Sequence, residues 1–146
     1  REMKRPVHVP SVAAVPPIGR YLLDTHALLF MDQAPHLLPP TLCALIEDTR
    51  NRLFVSVASL WEIQIKSMIG KLTLPLTIDR MMLRQQREND IDLLPIEIAH
   101  IVEHEALPTH HRDPFDRMLI AQARVEGLTL LSRDKLLSRY DVALHW

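Results

Sequence analysis

The sequence predicts an α/β fold built on a parallel β-sheet. Short apolar runs of strand length alternate with longer segments in which apolar residues recur at helical spacing. The strand-like runs are apolar at successive positions, as expected where helices bury both faces of a sheet. The chain of 146 residues is long enough for one domain with a sizeable core. We therefore expect an α/β domain with helices on both sides of a mainly parallel sheet.

Residues 1–19 are predicted to form an extended N-terminal arm ahead of a folded domain at residues 20–146. Several prolines and the absence of an amphipathic period argue against a helix in the arm. The prolines also interrupt any apolar region that could serve as a signal peptide. Two interpretations stay open: the arm packs on a neighbouring chain, or it has no part in function.

The first half of the domain is predicted to contain two strands and three helices. Residues 21–23 form the first strand and residues 53–57 the second. Between them, one helix includes residues 27–30 and another begins at the proline pair 39–40. The third helix covers residues 59–69 and ends at a glycine.

The second half is predicted to alternate helices with short strands. The elements are helices at residues 78–88, 98–105 and 114–126, and strands at residues 91–95, 128–131 and 142–144. The last of these helices has the clearest start, because Asp113 suits the N-cap and Pro114 suits the first helical position. Phe115, Leu119 and Ala123 recur at every fourth position, so this helix is expected to bury one face.

The composition is ordinary for a globular protein and excludes several classes of function. The net charge is −1, so binding of a polyanion would need a local basic patch. The single cysteine, Cys43, excludes an internal disulfide and fits a reducing compartment such as the cytoplasm. Three glycines leave no room for a phosphate-binding glycine-rich loop. No apolar run approaches the ~18 residues that span a membrane.

Four acidic residues are predicted to meet at one edge of the sheet. Asp24 and Asp134 each follow a predicted strand. Glu62 and Asp116 each lie in the first turn of a predicted helix. In a parallel α/β sheet, the carboxyl ends of the strands and the N-termini of the following helices share one edge, where ligands bind.

Each acid also has a purely structural explanation. Ser59 and Glu62 have the spacing of a capping box, in which the two side chains satisfy backbone N–H groups. Asp24 and Asp134 could cap the helices that follow them. Asp116 could interact favourably with the dipole of its own helix.

Convergence of the acids would nevertheless demand a cation. Like charges within a few ångströms destabilise one another, so without metal their pKa values should be raised. Mg²⁺ or Mn²⁺ would relieve this repulsion, because both prefer carboxylate oxygens and water. No set of histidines and cysteines with zinc-site spacing competes. Asp113 is the clearest candidate for a residue that only caps.

Four motifs carry a resemblance to a known family. They are Leu23-Asp24-Thr25-His26, Ser59-Leu60-Trp61-Glu62-Ile63, Arg112-Asp113-Pro114-Phe115-Asp116-Arg117-Met118-Leu119-Ile120-Ala121-Gln122-Ala123 and Leu131-Ser132-Arg133-Asp134. In this order they resemble a PIN-domain protein of the VapC toxin type over about residues 20–146. The resemblance implies a three-layer α/β/α PIN-like domain. It also implies a metal-dependent ribonuclease of a type II toxin–antitoxin pair, inhibited by a cognate antitoxin and usually homodimeric.

The resemblance assigns roles to individual residues. The catalytic and metal-binding quartet maps onto Asp24, Glu62, Asp116 and Asp134, with Asp113 as a further candidate ligand. One or two Mg²⁺ or Mn²⁺ ions would polarise the RNA phosphodiester and activate a water. Residues expected to support the acids or contact substrate are Thr25, Ser132, Arg117, Arg133 and Arg112.

The remaining histidine and aromatic side chains, and other possible functions, also bear on this interpretation. His110 and His111 are expected on the surface, and Trp61 is expected in the core rather than as a base-stacking platform. A phosphatase that forms an aspartyl-phosphate is disfavoured, because His26 stands where that class needs a second aspartate. A non-catalytic PIN-like domain that binds RNA or a partner, and a housekeeping RNA-processing nuclease, stay open.

Overall fold

The computed structural model describes residues 19–146, which contain five strands and six α-helices. The strands are β1 Arg20–Leu23, β2 Arg52–Ser56, β3 Ile91–Leu94, β4 Thr129–Leu131 and β5 Leu144–His145. The helices are α1 Thr25–Gln33, α2 Pro40–Glu47, α3 Val57–Met68, α4 Ile78–Asn89, α5 Ile98–Ala106 and α6 Pro114–Glu126, with 3₁₀ turns at Pro35–Leu37 and Lys135–Arg139. Apart from Gly19, the predicted N-terminal arm lies outside the described residues, so the arm stays a prediction.

The strands form one sheet in the order β3-β2-β1-β4-β5, with every neighbouring pair parallel. The predicted α/β class is confirmed, and the sheet is parallel throughout rather than mainly parallel. The chain leaves β1 to form β2 on one side and later returns as β4 on the other side. A crevice therefore opens at the carboxyl ends of β1 and β4, where the direction of winding reverses.

Helices bury both faces of the sheet because successive strand residues point to opposite sides. Leu23 and Val55 pack with residues of α1, α2, α3 and α4 in one apolar cluster. Leu22 and Phe54 pack with residues of α6 in another cluster, and α5 covers α6. Each fully buried leucine contributes about 1.5–3 kcal/mol, so the two clusters stabilise the sheet that carries the acids.

The start of α3 differs from the prediction. Val57 is already helical, and the Ser56 hydroxyl caps the helix by accepting from the Ala58 N–H at 3.0 Å. Ser59 therefore lies inside the first turn, and Glu62 lies in the second turn. The predicted capping box of Ser59 and Glu62 is wrong, because Ser56 takes the capping role three residues earlier.

A smaller difference concerns the last strand. β5 begins at Leu144, two residues later than predicted. Among the helices of residues 19–146, none combines the length and apolar character needed to cross a bilayer.

Candidate functional site

Asp24 lies at the carboxyl end of β1, where two strands and a helix fix its position. Its backbone N–H donates to the Leu131 carbonyl of β4 at 3.1 Å. Its side chain accepts from the Ala27 N–H at 2.7 Å and so caps α1. The Ser132 hydroxyl also hydrogen-bonds the Asp24 carboxylate. The Asp24 side chain therefore both caps α1 and belongs to the acidic cluster.

A histidine joins Asp116 of α6 to Asp134, the residue that caps the turn after β4. His111 Nε2 lies 3.1 Å from Asp116 Oδ2 and 3.3 Å from Asp134 Oδ2. His111 Nδ1 accepts from the Asp113 N–H at 3.1 Å, so the ring proton resides on Nε2 and is directed at the two carboxylates. The expectation that His111 is a surface residue is wrong, because its side chain is only 16% exposed. The exposed His110 fits that expectation.

Asp24, Asp116 and Asp134 share a cleft of about 370 Å³ at the crevice beside β1 and β4. His26, Ser132, Arg133 and Lys135 complete its lining. The Arg133 guanidinium lies 5.0 Å from the centre of the Phe30 ring, which holds this cation at the rim of the cleft. Three of the four predicted acids therefore line one cleft, and the fourth, Glu62, lies close enough for its charge to raise the pKa of Asp24 and of Asp116.

Glu62 lies beside this cleft and has two partners of its own. Its Oε1 accepts from the Thr25 hydroxyl at 2.6 Å, and its Oε2 pairs with Lys66 Nζ at 2.8 Å. Both oxygens of this 5% exposed residue are thus engaged. Sequence reasoning missed Lys66, although its spacing of four residues from Glu62 on one helix is the signal for such a pair.

Asp113 is the N-cap of α6, as predicted. Its Oδ1 accepts from the Phe115 N–H at 2.8 Å and from the Asp116 N–H at 3.4 Å. The capping bonds place the Asp113 charge beside Asp116, where it raises the pKa of Asp116.

Arg117 donates to backbone carbonyls at the end of α5 and in the segment that follows it. Its guanidinium donates to the carbonyl oxygens of Pro108 at 2.7 Å, His104 at 3.1 Å and Leu107 at 3.4 Å. The structure thus gives Arg117 the role of fixing the segment that carries His111. Arg112 is exposed and lies beside Glu62 in a neighbouring groove.

Burial is the main cause of the electrostatic strain in the cleft. It raises the pKa of Asp116 to about 7, with further increases from Asp113, Glu62 and Asp24 and a decrease from His111. Burial also raises the pKa of Asp24, against the hydrogen bond from Ser132. The prediction that the pKa values are raised is therefore correct for both residues. The larger cause is desolvation, however, and not the mutual repulsion on which the prediction was based.

The donor set fits a hard divalent cation. Ligand atoms of His111, Asp116 and Asp134 lie within 4.8 Å of one another, and Asp24 lines the same cleft. Carboxylate oxygens are the ligands that Mg²⁺ and Mn²⁺ prefer. The proton on His111 Nε2 makes this nitrogen a donor to the carboxylates rather than a metal ligand. Three aspartates are therefore the candidate ligands.

A second group of potential metal ligands, formed by Glu97, His100 and Glu126, is explained by hydrogen bonds within the fold. His100 accepts from the Glu97 N–H through Nδ1 at 3.0 Å and contacts Glu126 through Nε2 at 2.8 Å. Both ring nitrogens are thus used in capping α5 and fastening it to α6. These hydrogen bonds account for the group without a metal ion.

Several solved structures have a similar fold. A chain of the DNA-bound VapBC2 structure from Rickettsia felis has a TM-score of 0.64 at 16% identity, covering 86% of this chain and 97% of that chain. DNA-bound VapBC from Salmonella typhimurium gives 0.63 at 13% identity, covering 88% and 98%. FitAcB from Neisseria gonorrhoeae gives 0.55 at 19%, covering 86% and 96%. No curated protein matches the chain.

Structural similarity at identities this low shows a shared fold alone. Family membership is shown instead by a match of the sequence itself. The sequence model of the PIN domain matches residues 21–143, which is most of the chain. The matched segment includes all the acids that the structure places at the carboxyl edge of the sheet. The chain therefore belongs to the PIN domain family.

Proposed function

We propose that this protein is a metal-dependent endoribonuclease and the toxin component of a type II toxin–antitoxin pair. PIN domains are generally nucleases, and the similar folds above occur in VapBC complexes. The observation that carries the proposal is the meeting of Asp24, Asp116 and Asp134 in one cleft. Three carboxylates repel a polyanionic substrate. They can therefore serve catalysis only when they hold a cation that faces the substrate phosphate.

The three aspartates would hold one Mg²⁺ or Mn²⁺, which supplies polarisation of a phosphoryl oxygen and a lower pKa for a bound water. Ser132 keeps the Asp24 carboxylate oriented. His111 holds Oδ2 of Asp116 and Oδ2 of Asp134 toward each other. Arg133 and Lys135 at the rim attract the phosphodiester.

Glu62 is proposed to act beside the ligand set rather than within it. Thr25 and Lys66 occupy both of its oxygens, so a second ion would first have to displace the lysine. We therefore favour a site with one ion, in which Glu62 and Lys66 form the wall between the cleft and the neighbouring groove.

The proposal extends to partners and compartment. A small cognate antitoxin would inhibit the enzyme by presenting an apolar segment near the cleft and an arginine or lysine to the acids. The protein would act on RNA in the cytoplasm as a homodimer. Expression alone should arrest growth, and co-expression of the neighbouring small protein should restore it. Harmless expression of an active enzyme in its own host would favour a housekeeping nuclease.

The decisive test is a ribonuclease assay on purified protein in EDTA, Mg²⁺, Mn²⁺ and Ca²⁺. Cleavage should need Mg²⁺ or Mn²⁺ and should be lost in Asp24→Asn and Asp116→Asn. The surface variant Asp92→Asn is the matched control and should keep full activity. Full activity in both cleft variants would refute the proposal that this protein is the nuclease. If the wild type binds RNA without cleaving it, a non-catalytic domain is favoured.

A further inference from the structure

A groove of about 420 Å³ lies beside the acidic cleft, between α3 and the start of α6. Glu62 and Asp113 line it, so the groove adjoins the proposed catalytic centre. The rest of its lining combines basic and apolar side chains, among them Lys66, Lys71 and Phe115.

The end of α3 presents a cation to the groove. Gly70 adopts φ +79°, its N–H donates to the Ser67 carbonyl at 3.2 Å, and the Lys71 N–H donates to the Lys66 carbonyl at 2.9 Å. These bonds form a Schellman motif, which reverses the chain and places Lys71 in the groove lining with Lys66. A side chain other than glycine would adopt this left-handed conformation only with strain.

Two cations of the groove are available to a ligand. Lys66 is occupied by Glu62, whereas Lys71 and Arg112 are exposed, and neither forms an ion pair within residues 19–146. Because the net charge of the whole chain is only −1, these cations are a local basic feature rather than part of a general positive field.

An aromatic pair lies at the same groove: Phe115, which is half-buried, lines it, and the exposed Trp61 contacts Phe115. Trp61 is 59% exposed, which contradicts the expectation that it lies in the core. Its ring meets the Phe115 ring edge-on, with centroids 5.5 Å apart. Trp61 directly precedes Glu62, and Phe115 directly precedes Asp116. The two rings thus lie on the two helices that carry Glu62 and Asp116.

We propose that this groove binds the single-stranded RNA next to the scissile phosphodiester, with bases stacked on Trp61 and Phe115 and phosphates on Lys71 and Arg112. The inference rests on the proposed function and specifies where its substrate lies. Aromatic rings beside unpaired cations are the combination by which proteins hold single-stranded nucleic acid. A purely apolar partner segment would leave Lys71 and Arg112 without a counter-charge, so RNA accounts for more of the surface than such a segment does.

Tryptophan fluorescence tests the stacking directly. The chain has two tryptophans, so Trp146→Phe leaves Trp61 as the reporter. A mixed-sequence 12-nucleotide RNA titrated in EDTA should quench this fluorescence. Trp61→Leu should weaken binding of the same RNA, measured by anisotropy, by about 5- to 100-fold. Thermal melts verify that the variants remain folded.

Salt dependence tests the phosphate contacts. Lys71→Ala and Arg112→Ala should each reduce the slope of log affinity against log salt by about 0.7. Arg87→Ala is the matched control, because this exposed arginine lies near the end of α4 that leads into β3, at the opposite edge of the sheet. It should leave the slope unchanged.

The possible failures are distinguishable. If the wild type binds and cleaves RNA while Trp61→Leu, Lys71→Ala and Arg112→Ala match it in affinity and slope, the groove proposal is overturned and the proposed function stands. If the wild type neither binds nor cleaves RNA, both fail. If Trp61→Leu loses a co-expressed antitoxin but keeps its RNA affinity, the groove is a protein site and the proposal is overturned.

Discussion

Asp116→Asn should make the metal-free protein more stable at neutral pH. The wild-type carboxylate has a pKa raised from 3.8 to about 7, so the folded state binds a proton that the unfolded chain has released. Stability is then lost as pH rises from about 4 to about 7, and the loss persists above that range. Asparagine carries no charge to desolvate and still offers an oxygen to His111.

The pKa shift sets the size of this effect. At about 1.36 kcal/mol per pKa unit, the change from 3.8 to about 7 gives an upper limit of about 4 kcal/mol. The side chain is 25% exposed, so water screens part of this cost. We expect Asp116→Asn to exceed the wild type by about 1–2 kcal/mol in EDTA at pH 8, and by less at pH 5.

Metal should reverse the order of the two proteins. Binding to the folded state alone contributes about 2.7 kcal/mol at a hundred times the dissociation constant. For a chain of this length, that corresponds to a rise in Tm of about 5–10 °C. The wild type should show this rise with Mn²⁺, and Asp116→Asn should show much less of it.

Four melting curves per protein, in EDTA and Mn²⁺ at pH 5 and pH 8, complete the test. Asp92→Asn removes a surface carboxylate paired with Arg52 at 2.8 Å and should respond to Mn²⁺ like the wild type. If Asp116→Asn is less stable than the wild type in EDTA at pH 8, and Mn²⁺ affects both equally, then Asp116 merely stabilises its helix and the charge argument fails.

Three further outcomes are expected. Lys66→Met should cost about 1 kcal/mol in urea unfolding, because the buried Glu62 carboxylate loses its partner, and the double variant with Glu62→Gln should recover most of the loss; equal losses in both would contradict the pairing. Arg117→Met should cost about 1–2 kcal/mol by leaving carbonyl oxygens without a donor, and Arg117→Lys should recover only part; an unchanged urea midpoint would refute this anchoring role. Ca²⁺ should support RNA cleavage poorly compared with Mg²⁺, because it is larger and less demanding of geometry, and equal rates in the two metals would contradict a compact site of three aspartates.

The α/β class and the location of the acids could be predicted from the sequence, because both follow from local patterns. Apolar runs of strand length identify β1, β2 and β4, whose burial on both faces requires covering helices. In a parallel sheet, residues after strands and at helix starts share one edge. The positions of Asp24, Asp116 and Asp134 in one cleft follow from that rule, as does Asp113 at the cap before Pro114.

Local patterns could not predict which side chains meet across the fold. His111 looks like a loop histidine in the sequence and becomes a bridge between two aspartates only when α6 packs next to β4. Trp61 has helical apolar spacing, but Phe115 of α6 covers only part of its ring, and 59% of the residue stays exposed. The pKa of Asp116 likewise depends mainly on burial, which is a property of the packed chain. The sequence by itself determined the elements and the edge at which the acids lie, since periodicity and capping act over a few residues. Only the tertiary structure decided which side chains lose water and which find a partner, because desolvation and contact depend on atoms brought together from distant parts of the chain.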